Sequence, residues 1–353
     1  MKMRRLIISG FVFFISLCFS HAQSLSSLDS LRFRVMFYNT ENFFDTRHDS
    51  LKNDREFLPG AMRHWTYKRY QNKLNNLYKV IAALGYPQPP EIIGLCEIEN
   101  DKVLSNLMYD TPLLKYPYKF IHHESPDERG IDVAVLYRTD RFKLLNKRFI
   151  RVFFPFKPQR QTREIIYACG LIDGKDTLHL FVNHWPSKSG GEAESRPYRI
   201  QTGKILKIAV DSVLAIHPQA KIVIVGDFND GPDSECLIDG LQAKTSLKNL
   251  ASSQVYNLSA LLQEAKSTGT HKYRGNWEIL DQIIVSGKLL IDVKAWHTTL
   301  KCAQIFNAPF LLEDDPSDLG QRPVRTYNGF KYHGGFSDHL PVYLDLFRVK
   351  SEN

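Results

Sequence analysis

The hydrophobic positions of this chain fall into short runs rather than long stripes, and the runs recur from one end of the sequence to the other. Arg34–Tyr38, Glu91–Cys96, Asp132–Tyr137, Ile165–Ile172, Thr177–Val182, Lys221–Val225, Leu280–Val285 and Val342–Phe347 are dense in Val, Ile, Leu, Phe and Tyr and bounded by polar or turn-forming residues. Each predicts a strand buried on both faces. Two stretches between them have helical spacing instead. In Trp65–Leu84, Tyr70, Leu74, Leu77, Tyr78, Ile81 and Leu84 fall on one face, and Gly85 is placed to end the helix. In Tyr198–Ile216, Ile205, Leu206, Ala209 and Val213 make a comparable stripe. Strands alternate with helices early, and hairpin-like pairs follow around residues 130–185. The mixture predicts an α/β fold of mixed sheets with outer helices in one domain, residues 31–350, with no internal repeat or linker.

The first 22 residues follow another pattern. Lys2, Arg4 and Arg5 precede an apolar run from Leu6 to Phe19, and Ser20-His21-Ala22 offers a small-residue cleavage site, so residues 1–22 read as an export signal. The run is too short to span a bilayer, which needs about 20 apolar residues. A periplasmic or extracellular protein without stable membrane insertion is expected.

Composition then narrows the classes. With 43% hydrophobic and 24% charged residues, the chain has globular usage, which excludes disordered, collagen-like and coiled-coil readings. Loss of the signal leaves 43 basic residues against 38 acidic ones, a net charge of +5, which favours polyanionic partners. Cys96, Cys169, Cys236 and Cys302 are widely spaced with no CxxC pair, so they make no zinc site and are expected as free thiols.

Several strands end in side chains suited to phosphoryl chemistry. The run Lys221–Val225 leads through Gly226 to Asp227 and Asn229, a carboxylate and an amide two residues apart; a water and a phosphoryl oxygen could both be held there, or the pair could simply be turn chemistry. Glu97 leaves the strand that ends at Cys96 as a candidate oxygen ligand for Mg²⁺ or Ca²⁺, and Asn39 and Glu41 leave another. His184 follows Thr177–Val182 in a turn fixed by Pro186, and Asp338 and His339 precede the final strand. Asp281 interrupts an apolar strand; a buried carboxylate needs a partner, and an imidazole is a natural one.

Seven short motifs in order carry a resemblance: Asn-Thr-Glu-Asn at 39–42, Cys-Glu-Ile-Glu at 96–99, Arg-Gly-Ile-Asp at 129–132, Asn-His-Trp-Pro-Ser at 183–187, Gly-Asp-Phe-Asn-Asp at 226–230, Leu-Asp-Gln-Ile at 280–283 and Ser-Asp-His-Leu-Pro-Val at 337–342. Over Arg34 to Leu346 the chain resembles the endonuclease/exonuclease/phosphatase superfamily, most of all its bacterial extracellular-nuclease-like branch. The resemblance implies a DNase I-like four-layer α/β/β/α sandwich of two mixed sheets, with strand ends from both converging on a site dependent on Mg²⁺, Mn²⁺ or Ca²⁺. It implies Glu97 as principal metal ligand with Asn39 and Glu41 beside it and Asp338 assisting. Asp227 and Asn229 would hold the water, and His339, oriented by Asp281, the scissile phosphate. His184 would protonate the leaving oxygen, with Asp132 as its partner. Gln282 departs from the pattern, standing where nucleases related to DNase I often carry Arg or Tyr; Arg129, Arg196 or Arg199 could supply the missing phosphate contact.

Substrate class rests on two segments. From Arg141 to Arg163 the sequence has eight basic residues, five phenylalanines and no acid: either a surface that tracks a nucleic-acid backbone, or two strands with solvated bases. Glu313 to Asp318 carries four acids, a Ca²⁺ site or a solvated loop. The expectation is an exported metal-dependent phosphodiesterase, an endonuclease on DNA or RNA, monomeric and without a protein partner. Hydrolysis of lipid headgroups or small phosphoesters, and polyanion binding without turnover, are the alternatives.

Overall fold

A computed structural model describes residues 30–262 and 269–349, so the expected export signal lies outside the described residues. Two six-stranded mixed sheets form the centre. The first contains β1 (Ser30–Phe43), β2 (Ile92–Ile98), β3 (Tyr118–His122), β4 (Asp132–Arg138), β13 (Ala303–Ile305) and β18 (Val342–Val349), in the order β13-β18-β1-β2-β4-β3. The second contains β5 (Phe142–Ile150), β6 (Ile165–Ile172), β7 (Asp176–His184), β8 (Lys221–Asp227), β9 (Val255–Asn257) and β12 (Asp281–Ser286), in the order β5-β6-β7-β8-β12-β9. Three two-stranded ribbons lie between these elements: β10 with β11 (His271–Tyr273, Asn276–Glu278), β14 with β15 (Leu312–Asp314, Gln321–Pro323) and β16 with β17 (Tyr327–Asn328, Lys331–Tyr332).

Apolar side chains separate into three layers of core, which makes the sandwich. Val35, Phe37, Val135, Leu180, Val182, Val223 and Val342 pack between the two sheets. Helices α1 (Tyr67–Gly85) and α2 (Asp101–Tyr109) cover the outer face of the first sheet through Leu74, Leu77, Ile81 and Leu104. Helix α3 (Glu192–Ile216) covers the second through Leu206, Val210 and Val213. Strands sandwiched this way bury both faces, which is why they read as continuous apolar runs rather than alternating ones.

Both sheets are built on the same plan. Each has a central parallel pair, β1 with β2 and β7 with β8, flanked by antiparallel neighbours. The carboxyl ends of a parallel pair lie at the same edge as the amino ends of its antiparallel neighbours. Asn39, Glu97, His184 and Asp227 therefore share an edge with Asp132 and Asp281, which open β4 and β12.

Helix α3 begins six residues before the expected stripe and contains Pro197. That proline marks the sequence as a boundary, but it loses only one backbone donor near the helix start. Strand β5 fits the two-strand alternative offered for residues 141–163, with most of its positions exposed, whereas β3 was not expected, because only two of its five positions are buried and it shows no sustained apolar run. Among the described residues, Cys96, Cys169, Cys236 and Cys302 are free thiols, the first three of them buried.

Candidate active site

The parallel pair of the first sheet ends irregularly. Strand β2 pairs with β4 at Cys96 and again at Ile98, opposite the adjacent residues Val133 and Asp132, so Glu97 is the extra residue of a bulge. Its φ is +59°, and Glu41, Asn42 and Asn229 are also left-handed, at +51°, +56° and +51°. Non-glycine residues held in this region are uncommon and cost energy, and bulges serve to re-aim a side chain. Here the bulge frees Glu97 from the ladder. Its Oε2 accepts the Asn42 N–H at 2.8 Å, and its Oε1 lies 3.5 Å from Asn39 Nδ2 and 4.0 Å from His184 Nε2.

The second sheet meets it across the sandwich. Asn39 Nδ2 donates to Asp227 Oδ2 at 3.0 Å, while Asp227 Oδ1 accepts the Asn229 N–H at 2.8 Å. Residue Asp227 pairs in register with His184 on one side and Asp281 on the other. His339 Nδ1 is bonded to Asp281 Oδ2 at 2.6 Å, and its Nε2 lies 3.9 Å from Asp227 Oδ2, as His184 Nε2 does at 3.8 Å. Glu97, Asp227 and both imidazoles thus surround one small volume.

Burial controls the charges. It pushes the Asp227 carboxyl up to about 6, with His339 opposing and Asp281 reinforcing the rise. Burial works to lower His339, but the hydrogen-bonded Asp281 carboxylate, with Asp227 and Asp338, overrides it and holds the imidazole well above its ordinary value. His184 has no such partner: burial, with Arg163, Arg129 and His339 nearby, drives it well below, so it is neutral.

These contacts correct the expected Asp132–His184 pairing and the phosphate contact offered for Arg199, and they show what Glu41 and Asp338 touch. Asp132 does not pair with His184, whose buried Nδ1 has no hydrogen-bond partner; it opens β4 beside the last residue of β3, so its Oδ1 accepts the Ser125 N–H at 3.0 Å and its Oδ2 faces His122 Nε2 at 3.4 Å. Glu41 is turned to the segment after β15, where its oxygens accept the Thr326 and Tyr327 N–H groups at 2.6 and 3.3 Å; Asp338 pairs there too, with Arg325 at 2.7 Å. Arg199 is fully buried against Asp230 and Glu192, so it offers no free phosphate contact. Gln282 is buried as well, donating to the carbonyls of Asp230 and Ile279.

Some residues at the site escaped the sequence reading. Lys73 lies on the buried face of α1 and donates to Thr326 Oγ1 and the Phe336 carbonyl, both at 2.6 Å; burial lowers its ammonium to about 8 against the pull of Glu41, Asp338 and Glu97. A lysine inside the stripe Tyr70–Leu74–Leu77 was the available signal. Ser337 donates to the Asn39 carbonyl at 2.7 Å and accepts the His339 N–H, tying the two motifs together. The His271 ring lies 4.8 Å from the His339 ring, tilted by 37° and brought there by the β10 ribbon. Two of the four acids at 313–318 are paired: Glu313 with Arg322 and His333, Asp315 with Lys272.

A family model described as endonuclease/exonuclease/phosphatase family matches residues 34–348. The chain belongs to the endonuclease/exonuclease/phosphatase family. Solved structures agree on the fold. A family member from Bacteroides thetaiotaomicron is 16% identical with a TM-score of 0.54, covering 92% of this chain and 99% of that one. A mannosyl-6-phosphatase from the same organism is 17% identical with a TM-score of 0.53, over 89% and 99%. D. rerio TDP2 complexed with single-strand DNA product is 13% identical with a TM-score of 0.53, over 90% and 99%. No curated protein matches the chain significantly.

Family membership makes the chain a metal-dependent phosphoesterase, and the donor set fits. Glu97 and Asp227 supply carboxylate oxygens, the hard ligands that a Mg²⁺-type cation takes, and Asn39 orients both through its Nδ2 while its Oδ1 accepts the Glu41 N–H at 2.9 Å. Glu97 leaves one oxygen directed at the shared volume after its bond to Asn42 is made.

Proposed function

We propose that this chain is an exported phosphodiesterase that hydrolyses DNA or RNA with Mg²⁺ or Mn²⁺, as the extracellular-nuclease-like branch of its family would. The observation that carries the chemistry is the Asp281–His339–Asp227 line at the meeting edge of the two sheets. A bound divalent cation, held by Glu97 with Asn39 and Asp227 beside it, supplies neutralisation of charge on the phosphoryl oxygens. Asp227, hydrogen-bonded by Asn39 and the Asn229 backbone, orients the attacking water and accepts its proton. His339, kept cationic by Asp281, presents its Nε2–H to a non-bridging oxygen. His184, neutral and flanking the same volume, orients the leaving oxygen by hydrogen bonding through Nε2, and that oxygen takes its proton from solvent water. Export rests on the sequence of residues 1–22.

A polynucleotide substrate is supported by the segment after β5. Phe153 and Phe156 are 47% and 55% exposed among the exposed bases Arg151 and Lys157, and Arg160 lies over the Tyr198 ring at 3.9 Å. Aromatic faces interleaved with cations suit a flexible polyanion, whose bases stack while its phosphates are neutralised. The test compares two substrates, single-stranded oligonucleotides and bis-p-nitrophenyl phosphate. Wild type should cleave both with added Mg²⁺ and neither with EDTA. Removing Phe153, Phe156 and Arg160 together should raise KM for the oligonucleotide about 10-fold or more, at ~1–3 kcal/mol per stacked base, and leave the small diester unchanged. Turnover of small phosphomonoesters with polynucleotides untouched would overturn this reading.

A further inference from the structure

At the next strand pair along the first sheet, His122 ends β3 and Asp132 opens β4. Both side chains are 1% exposed. His122 Nδ1 lies 2.7 Å from Asp101 Oδ1, so in the neutral ring the Nδ1–H donates to that carboxylate and the Nε2 lone pair faces Asp132 Oδ2 at 3.4 Å. Neither of these two buried atoms has a hydrogen-bond partner. Two buried acceptors facing one another need a positive centre between them. The Glu124 carboxylate lies within 4.8 Å of both, exposed at the mouth of the pair. One imidazole thus faces three carboxylates, Asp101, Asp132 and Glu124, and Lys52 acts on Glu124 from the loop side.

We propose that His122, Asp132 and Glu124 bind a second divalent cation of the zinc type, apart from the phosphoesterase centre. Ligands ~2.0–2.1 Å from a tetrahedral ion stand about 3.4 Å apart, which is the separation of His122 Nε2 and Asp132 Oδ2. The Asp101 carboxylate completes the arrangement, because a metal-bound histidine commonly donates its other N–H to a carboxylate that fixes its tautomer. Glu124 is the third ligand, and water from the exposed side takes the fourth position. The ion would clamp the 123–131 loop, already held by Lys52 Nζ on the carbonyls of Ser125 and Asp127 at 2.6 and 3.1 Å, to the start of α2, whose first residue is Asp101.

Cobalt substitution tests this on the full chain after chelator treatment. Co²⁺ should bind with an intense visible absorption typical of four-coordination, and Glu97→Gln should keep that band. Glu124→Ala and His122→Ala should each lose it together with one equivalent of bound metal. Glu124 is exposed, so its variant reads out the site even if His122→Ala fails to fold. Retention of the band and stoichiometry in Glu124→Ala, or absence of the band in wild type, would overturn the proposal and leave His122 as an imidazolium between two carboxylates.

Discussion

His339 holds a proton because Asp281 shares it, and the pair is buried with one Asp281 oxygen otherwise without a partner. Asp281→Asn is therefore expected to lower kcat by ~10²–10³-fold while His339→Ala lowers it by up to ~10⁴-fold, both with substrate binding largely retained. The check is a kcat and KM comparison, and a circular dichroism melt confirms that both variants are folded. Asp227 supplies the pH dependence. Its carboxylate form is the one that accepts a proton, and its pKa is raised, so kcat/KM should fall as pH drops through about 6 or somewhat lower once a cation shares the site. A profile flat from pH 7 down to ordinary carboxylate values would remove Asp227 from the base role.

At the element scale, the bulge is where shape is exchanged for chemistry. Glu97 occupies a backbone region that costs an L-residue ~1–2 kcal/mol and a glycine almost nothing. Replacing it with Gly or Ala should abolish hydrolysis equally. The glycine variant, which relieves the strain but gains unfolded-state entropy, should be the more stable of the two by ~0.5–1 kcal/mol in urea unfolding. Equal stabilities would mean that the left-handed conformation of Glu97 stores no strain. Nothing in Leu-Cys-Glu-Ile-Glu announces the bulge, since no glycine or asparagine stands at the left-handed position. The candidate ligand was visible in the sequence, whereas its release from the ladder was not.

Across the whole molecule, the site exists because two sheets stand at a fixed separation. Gly94 on β2 faces Val182 on β7, and a Cβ there would lie 3.0 Å from Val182 Cγ1 and 3.1 Å from Phe37 Cδ2. Glu97 and His184 lie two or three residues beyond those contacts. Gly94→Ala should cost ~1–3 kcal/mol of stability by overpacking, and it should cut kcat further than the stability loss explains, because displacements near 1 Å at a catalytic constellation cost ~10²-fold. Adding Val182→Ala should restore a part of both. Unfolding and kinetics on the double-mutant cycle measure this coupling, and independent, additive effects would show that sheet spacing does not govern the site.

The chain by itself determined the buried strands, the main helical faces and the polar residues at strand ends, because each of these is a local pattern of apolar spacing or a short motif. It also carried the family resemblance, since ordered motifs survive in sequence. Tertiary structure alone decided which of those residues meet. Asp281 and His339 are distant along the chain and touch; Asp132 and His184 carry equally suggestive motifs and do not, because β4 stands beside β3 and His122 takes the carboxylate. Strand order, register and the bulge at Glu97 set these pairings, and all three arise from packing between segments far apart in sequence, which no local pattern records.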